Sequence, residues 1–344
     1  RKEIYIETPN NSLMSKMGQQ AGFPIVVVGM IDKIFAKDAD WVTYLHNLAE
    51  YVAQQGHGSR LIPVAVESGI LDNLKLDQQA LRWDEWDLTT EERTQRLIRE
   101  LAHEFSRILR HRLRLLRNPC DGRVGLKQDL EKIQVFLSHT KQDGNGKEIA
   151  EAIRLWLHQN SALASFMDVY DIPAGLSFSD VIRKQIGESV FLAIHTDHYS
   201  SREWCRLEVV DAKKTGVPMI VADCLQTGDE RALPYLGNVP IIRMDPVAKD
   251  RFAEITGRLL DEVLANFLWN CGVESLPEGP ATTLFMPRPP ELLSLATLAA
   301  QQKMPRVIVY PDPPLGKEEM DLFSAIWGNF RILTMSQWLA EEVT

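Results

Sequence analysis

No apolar run in this sequence approaches the ~18 residues a membrane-spanning helix needs. Among the longest is Phe23 to Ile31, so a membrane partner is not expected. Cysteine is scarce, with 4 in 344 residues and no C-x-x-C pair. That spacing excludes a disulfide scaffold, and Cys120, Cys205, Cys224 and Cys271 read as reduced thiols of a cytoplasmic protein. Basic charge is in deficit, 38 Lys+Arg against 47 Asp+Glu for a net charge of -9, so nucleic acid is not an expected partner. The phosphate-cradling patterns G-x-G-x-x-G and G-K-[ST] are absent; Gly144 and Gly146 stand alone. His195, Asp197 and His198 fall close together, but no second cluster has metal-ligand spacing, so a loop histidine pair is the better reading and no metal is expected. The chain opens on Arg1 rather than Met and is read as a processed or partial chain.

What is present is an ordinary globular composition, 45% hydrophobic and 25% charged, long enough for two or three domains. Short β-branched runs alternate with amphipathic stretches. Pro24-Ile-Val-Val-Val28 and Leu61-Ile-Pro-Val-Ala-Val66 predict buried strands, with helices over 40–53 and from Thr89 to Arg117. The same order recurs as a strand at Val190–Ile194, a helix at Glu203–Lys214, a strand at Val217–Ala222 and a helix from Lys249 to Trp269. Leu81-Arg-Trp-Asp84 precedes the first long helix as Ile241-Ile-Arg-Met-Asp245 precedes the second, which suggests a duplication. The later copy alone has a front half: strands at Ile133–Leu137 and Ala164–Asp168, and helices at Glu148–His158 and Ser179–Glu188. Strands alternating with helices imply an α/β fold whose parallel sheet is covered on both faces.

Pro and Gly mark the boundaries. They divide the chain into a first α/β module over 1–118, a second over 130–272, a Pro-rich linker and helix over 273–303, and the start of an incomplete third module over 304–344. In that last stretch, strands at Arg306–Tyr310 and Phe330–Leu333 flank a helix from about Lys317 to Trp327, a single βαβ-like unit too small to hold a core alone.

Several pieces of the second module, in order, resemble the TIR (Toll/interleukin-1 receptor/resistance) domain. Val135-Phe-Leu-Ser-His139 is similar to that family's first strand and following loop. Asp168 through Ile172-Pro-Ala-Gly175 is similar to its second strand and BB loop, and Phe178, Ile182, Ile186 and Ser189 to the helix behind that loop. Ser201-Arg-Glu-Trp-Cys-Arg-Leu-Glu208 resembles its Ser, Trp-Cys and Glu signature. The resemblance implies a flavodoxin-like, five-stranded parallel sheet. The first module then reads as a degenerate TIR-like or a generic Rossmann-like unit, because Trp41 stands in the place of Trp204 but Leu45 in that of Glu208.

In enzymatic members of that family the matching glutamate cleaves NAD and the matching tryptophan stacks near the nicotinamide, which makes Glu208 the candidate catalytic residue and Trp204 a substrate contact. The spacing itself puts Trp204 and Glu208 on one helix face, and Ser200 with Glu203 forms an S-x-x-E capping box. The chemistry suits a lone carboxylate: nicotinamide leaves neutral without a general acid, and what needs stabilising is the oxocarbenium-like ribosyl centre. The competing reading of Glu208 is a surface residue paired with Arg206 or Lys214. The resemblance also implies substrate contacts at Ser138, Thr140, Lys141, Asp168, Phe178 and Ser201. Thr140 and Lys141 depart from the paired arginines of some enzymatic relatives, Phe178 equally suits core packing, and Asp168 equally suits capping of its loop. His139 reads as a loop histidine, and the basic stretch Arg107 to Arg117 as a solvated helix face.

The expected function is therefore that of an NAD nucleosidase giving nicotinamide and ADP-ribose, linear or cyclised, with NAD as substrate and no cofactor. The family resemblance further implies a bacterial immune or antiphage effector that self-associates or meets other TIR or sensor subunits. Its assembly loop would run from Asp171 to Ser177 and include Pro173, Gly175 and Leu176. The alternatives are a non-enzymatic TIR scaffold and an enzyme acting on another nucleotide.

Overall fold

The computed structural model describes residues 24–56, 58–117, 132–141, 144–160, 163–167, 181, 184, 186, 189–229, 231–245, 248, 250–276, 282–302, 305–326 and 330–342. Its contacts divide the chain into two compact units, Arg1–Leu130 and Glu131–Thr344. No helix among the described residues is long and apolar enough to cross a membrane.

In the first unit, β1 (Val26–Ile31) and β2 (Arg60–Ala65) pair in parallel, with Val27 opposite Leu61. Parallel neighbours need a crossover. It is made by a short helix α1 (Lys33–Lys37) and by α2 (Ala39–Gln54), which starts where the Asp38 carboxylate accepts from the amides of Asp40 and Trp41. The buried face of α2 is Leu45, Leu48, Ala49 and Val52, a helical spacing, and it joins a core with Ile31, Leu61 and Ala65. After α3 (Leu71–Leu74), Leu81 forms a single parallel bridge to Val64. The long helix α4 (Thr90–Arg117) opens on a capping box: the Thr89 amide donates to Glu92, and the Glu92 amide donates to the Thr89 hydroxyl.

The second unit contains a five-stranded parallel sheet in the order β4-β3-β5-β6-β7. Its elements run β3 (Gln134–Ser138), α5 (Gly144–Asn160), β4 (Ala164–Phe166), β5 (Val190–His195), α6 (Glu203–Thr215), β6 (Met219–Asp223), β7 (Ile241–Arg243) and α7 (Arg251–Glu274). Residues 181, 184 and 186, from the helix expected over Ser179–Glu188, are helical. Phe191 and Ala193 of β5 point into the core shared with α6, where Phe136 stacks between Phe166 and Phe191 at centroid distances of 5.5 and 5.6 Å. β5 is buried from Val190 to Ile194, as a central strand covered on both faces must be. This is the α/β, five-stranded parallel architecture expected from the sequence. Helix α6 ends on Gly216, whose left-handed conformation (φ 69°) lets its amide reach back to Ala212 and Lys213.

The stretch read as linker holds more structure than its prolines suggest. β8 (Thr283–Phe285) pairs in parallel with β9 (Val307–Tyr310), and β9 with β10 (Arg331–Thr334). With α8 (Leu292–Ala300), α9 (Lys317–Ile326) and α10 (Met335–Glu342), this sheet encloses its own core of Leu295, Ile308, Tyr310, Phe323 and Ile332. The third strand supplies what a lone βαβ unit lacks. Lys213 at the end of α6 ties this region to the five-stranded sheet: its Nζ donates to Glu291 at 3.0 Å and to the Gly237 carbonyl at 2.7 Å. Burial lowers the Lys213 pKa, and the Glu291 charge opposes that shift.

Candidate functional site

In parallel sheets the loops after the carboxyl ends of the strands gather on one edge, and ligands bind there. Here that edge is formed by Ser138 at the end of β3, His195 at the end of β5, the turn over 196–202, and the first turns of α6.

Glu208 lies in the second turn of α6 and is only 7% exposed. That burial does not fit the competing reading of a surface residue. Arg206, one of the two pairing partners considered, turns its guanidinium instead to the carbonyls of Ser200 and Ser201, at 3.3 and 3.1 Å. The Glu208 carboxylate receives a hydrogen bond from Ser138 at 2.5 Å, within the range of charge-assisted O–H···O⁻ contacts. The same Ser138 oxygen lies 2.6 Å from the phenolic oxygen of Tyr199, which is completely buried. A serine hydroxyl has one proton. With that proton given to Glu208, Ser138 accepts from Tyr199. Burial holds the Tyr199 phenol well above its usual range, and the charges of Cys205 and Glu208 act in the same direction, so the phenol keeps its proton.

Trp204, one turn before Glu208, is 51% exposed. The shared face expected from their spacing is therefore divided. A four-residue step turns ~40° around a helix at 3.6 residues per turn, enough here for the sheet to cover Glu208 while Trp204 stays at the rim. The expected capping box also fails. Arg202 is the N-cap and no side chain caps it, while the Ser200 hydroxyl donates to Asp229 at 2.8 Å. The helix begins later than that pattern requires, so Ser200 stands two residues before the N-cap and its oxygen is not the group that meets the first free amides.

Asp229 draws a second group to the same place, since His195 Nε2 lies 2.9 Å from its carboxylate and 3.0 Å from the Ser200 hydroxyl. Ser, His and Asp thus meet, but both partners share one ring nitrogen. A nucleophilic triad needs the serine at one nitrogen and the acid at the other. The cluster is a clamp between β5 and the 229 loop. Asp197 adds a second clamp, accepting from the amides of Gln226 and Thr227 at 2.9 and 3.0 Å, and these donors, with the Thr227 hydroxyl the strongest, lower its pKa to about 2. The His195–Asp197–His198 stretch is accordingly a structural loop. Among the described residues no group of His, Cys, Asp and Glu converges as a metal site would.

Of the other predicted site residues, Thr140 is buried, Lys141 is exposed, and Ser201 is half-buried with its hydroxyl donating to the His198 carbonyl at 2.9 Å. His139 is buried, with Nδ1 3.1 Å from the Leu137 carbonyl. Asp168, Asp171, Pro173, Gly175, Leu176 and Phe178 lie outside the described residues. Sequence reasoning passed over Tyr199 and Asp229. Neither stands in a periodic stretch, and each meets its partner only across the fold, Tyr199 with Ser138 at a separation of 61 residues. A surface cavity of about 360 Å³ opens on the outer side of α6, lined among others by Glu203, Arg206, Leu207, Arg231 and Tyr235. Glu208 is not part of its wall.

Residues 135–256, about a third of the chain, match the family model of the TIR domain. Among solved structures, the chain is similar to the TIR domains of the activated Roq1 resistosome directly recognizing the pathogen effector XopQ. That similarity is 25% identity over 27% of this chain and 58% of the other, with a TM-score of 0.23. The chain thus spans less than two thirds of the length of that relative. A comparison with curated proteins gives no match.

Proposed function

We propose that the TIR domain at residues 135–256 is an NAD glycohydrolase with Glu208 as its catalytic carboxylate. The observation that carries this reading is a buried carboxylate, held by the Ser138 hydroxyl, at the carboxyl edge of a parallel sheet. In the reaction the bond between ribose C1′ and the pyridinium nitrogen breaks, and its electron pair goes to the ring nitrogen. Neutral nicotinamide leaves and positive charge develops on the ribosyl carbon. A fixed carboxylate beside that centre stabilises the charge as it forms, and the low-dielectric surroundings strengthen the interaction. Water then attacks C1′ and releases a proton, giving ADP-ribose; attack by a group of the same molecule gives a cyclic product instead. Trp204, exposed one turn from Glu208, offers a ring face for the departing nicotinamide.

In this reading Lys141 contributes positive charge near the phosphates. Assembly through the loop over 171–177 completes the site, and the protein serves in the cytoplasm as an immune effector, of bacterial antiphage type. The first unit is a degenerate copy that lacks the carboxylate. Incubation of the purified protein with NAD, with nicotinamide followed by chromatography, tests the reading. Release by the native protein and its loss in Glu208→Gln supports it, whereas equal release by both would overturn it.

A scaffold function is the second reading. It is favoured by the exposed apolar side chains of Leu207 and Tyr235 beside the cavity on the outer side of α6, a surface suited to protein contact. Absence of nicotinamide release at concentrations where the protein self-associates would favour it.

A further inference from the structure

We propose that Tyr199 is a positioning residue that acts on Glu208 through Ser138, so that phenol, hydroxyl and carboxylate form a one-way hydrogen-bond relay. The proposal rests on the assignment of Glu208 as the catalytic carboxylate. Its basis is the count of protons at Ser138. That oxygen lies 2.5 Å from Glu208 Oε2 and 2.6 Å from the Tyr199 phenol, and it carries a single hydrogen. A carboxylate only accepts, so the serine proton points to Glu208 and the tyrosine proton to Ser138. Donation by Tyr199 polarises the serine hydroxyl and strengthens its bond to the carboxylate, as happens in chained hydrogen bonds of low-dielectric sites. The elevated pKa of the buried phenol keeps the first donor in place.

The remainder of the edge holds Tyr199 where the relay needs it. Its amide donates to the Thr196 carbonyl at 2.9 Å, and its ring stands edge-on to His195 at 5.8 Å between centroids. His195 is fixed by Asp229, which also takes the hydroxyl proton of Ser200, the residue that follows Tyr199. The His195–Ser200–Asp229 cluster thereby acquires a purpose, fixing the turn that carries the phenol. Cys205 and His139 also lie at this centre, Cys205 through its effect on Tyr199 and through its thiol, 3.6 Å from the His139 carbonyl.

The relay makes Tyr199 dependent on Ser138, which a double-mutant cycle reads directly. Tyr199→Phe removes one oxygen atom from a packed ring, and kcat for nicotinamide release should fall about tenfold, the worth of one strong hydrogen bond, with KM unchanged. Loss of the donor weakens stabilisation of the ionised carboxylate, so the acid limb of the pH profile should move upward. Ser138→Ala should cost more, Ser138→Thr should restore most of the activity, and Tyr199→Phe added to Ser138→Ala should change nothing further. The second arm needs no NAD: protein labelled with ¹³C-glutamate is titrated by NMR, with the Glu208 resonance assigned from its absence in Glu208→Gln. The Glu208 midpoint should rise in Tyr199→Phe and rise further in Ser138→Ala. Additive losses in the double mutant, or an unmoved midpoint in folded Tyr199→Phe, would overturn the relay. A moved midpoint in a protein that releases no nicotinamide would retain the relay and reject the hydrolase reading.

Discussion

Leu45 in the first unit and Glu208 in the second follow a tryptophan at the same spacing and meet opposite surroundings. Each lies four residues after a tryptophan, on the helix that crosses between two parallel strands. Leu45, 3% exposed, fills an apolar layer with Ile31, Ala49 and Leu61. Glu208 is nearly as buried but has the Ser138 hydroxyl beside it, supplied by β3. Among the described residues of the first unit, β1 has a partner on one side only. The tryptophans diverge as well, for Trp41 packs on Phe35 and Tyr44 at 5.1 and 6.0 Å while Trp204 faces outward. A buried carboxylate persists where a neighbouring strand brings a donor to it; without one, desolvation makes an apolar side chain the stable occupant.

Glu208→Gln tests the larger side of this contrast. Nicotinamide release should drop by at least ~10²-fold, the scale of losing a preorganised electrostatic contact, with circular dichroism unchanged. Leu45→Glu exchanges one environment for the other. It should destabilise the first unit by about 3–5 kcal/mol, since a buried charge would stand without a partner, as read by urea melts. The double variant Leu45→Glu, Glu208→Gln should release no nicotinamide; measurable turnover would mean that the first unit can hold substrate. Lys213→Ala probes a largely buried tie within the second unit, from the end of α6 to Glu291. Loss of a partner from this largely buried pair should lower the stability of the second unit by about 1–3 kcal/mol and leave the first unaffected, resolvable as separate transitions in a thermal scan.

The smallest expected effect concerns the 226–228 loop. Because the folded-state pKa of Asp197, about 2, lies below its ordinary value of 3.8, the anchor is fully present above that ordinary value and is lost as pH falls through about 2. Amide signals of Gln226 and Thr227 should hold steady at neutral pH in the native protein and shift in Asp197→Asn.

The contrast between the units also shows what could be read from residue order. Most strands and helices were legible because their periodicity is local: Val190–Ile194 and the 203–214 helix appear close to their predicted bounds. β8 escaped because three residues in a Pro-rich stretch carry no pattern of their own, and pairing with Val307–Val309 makes them a strand. At the candidate site the Trp–Glu spacing gave Glu208 its prominence, and it equally suggested a shared face that burial then divided.

Determined by the sequence alone were the α/β class, the crossover order that forces strands to lie parallel, the carboxylate at position 208 and the leucine at 45. Those follow from residue type and from spacing within a few turns. Tertiary structure decided which of Trp204 and Glu208 is covered, that the Ser200 hydroxyl serves Asp229 rather than the helix end, and that Tyr199, Ser138 and Glu208 share hydrogen bonds across 61 and 70 residues of chain. Such contacts depend on where separate strands end against one another. Only the closed sheet sets that distance, because a hydrogen bond tolerates only a few tenths of an ångström.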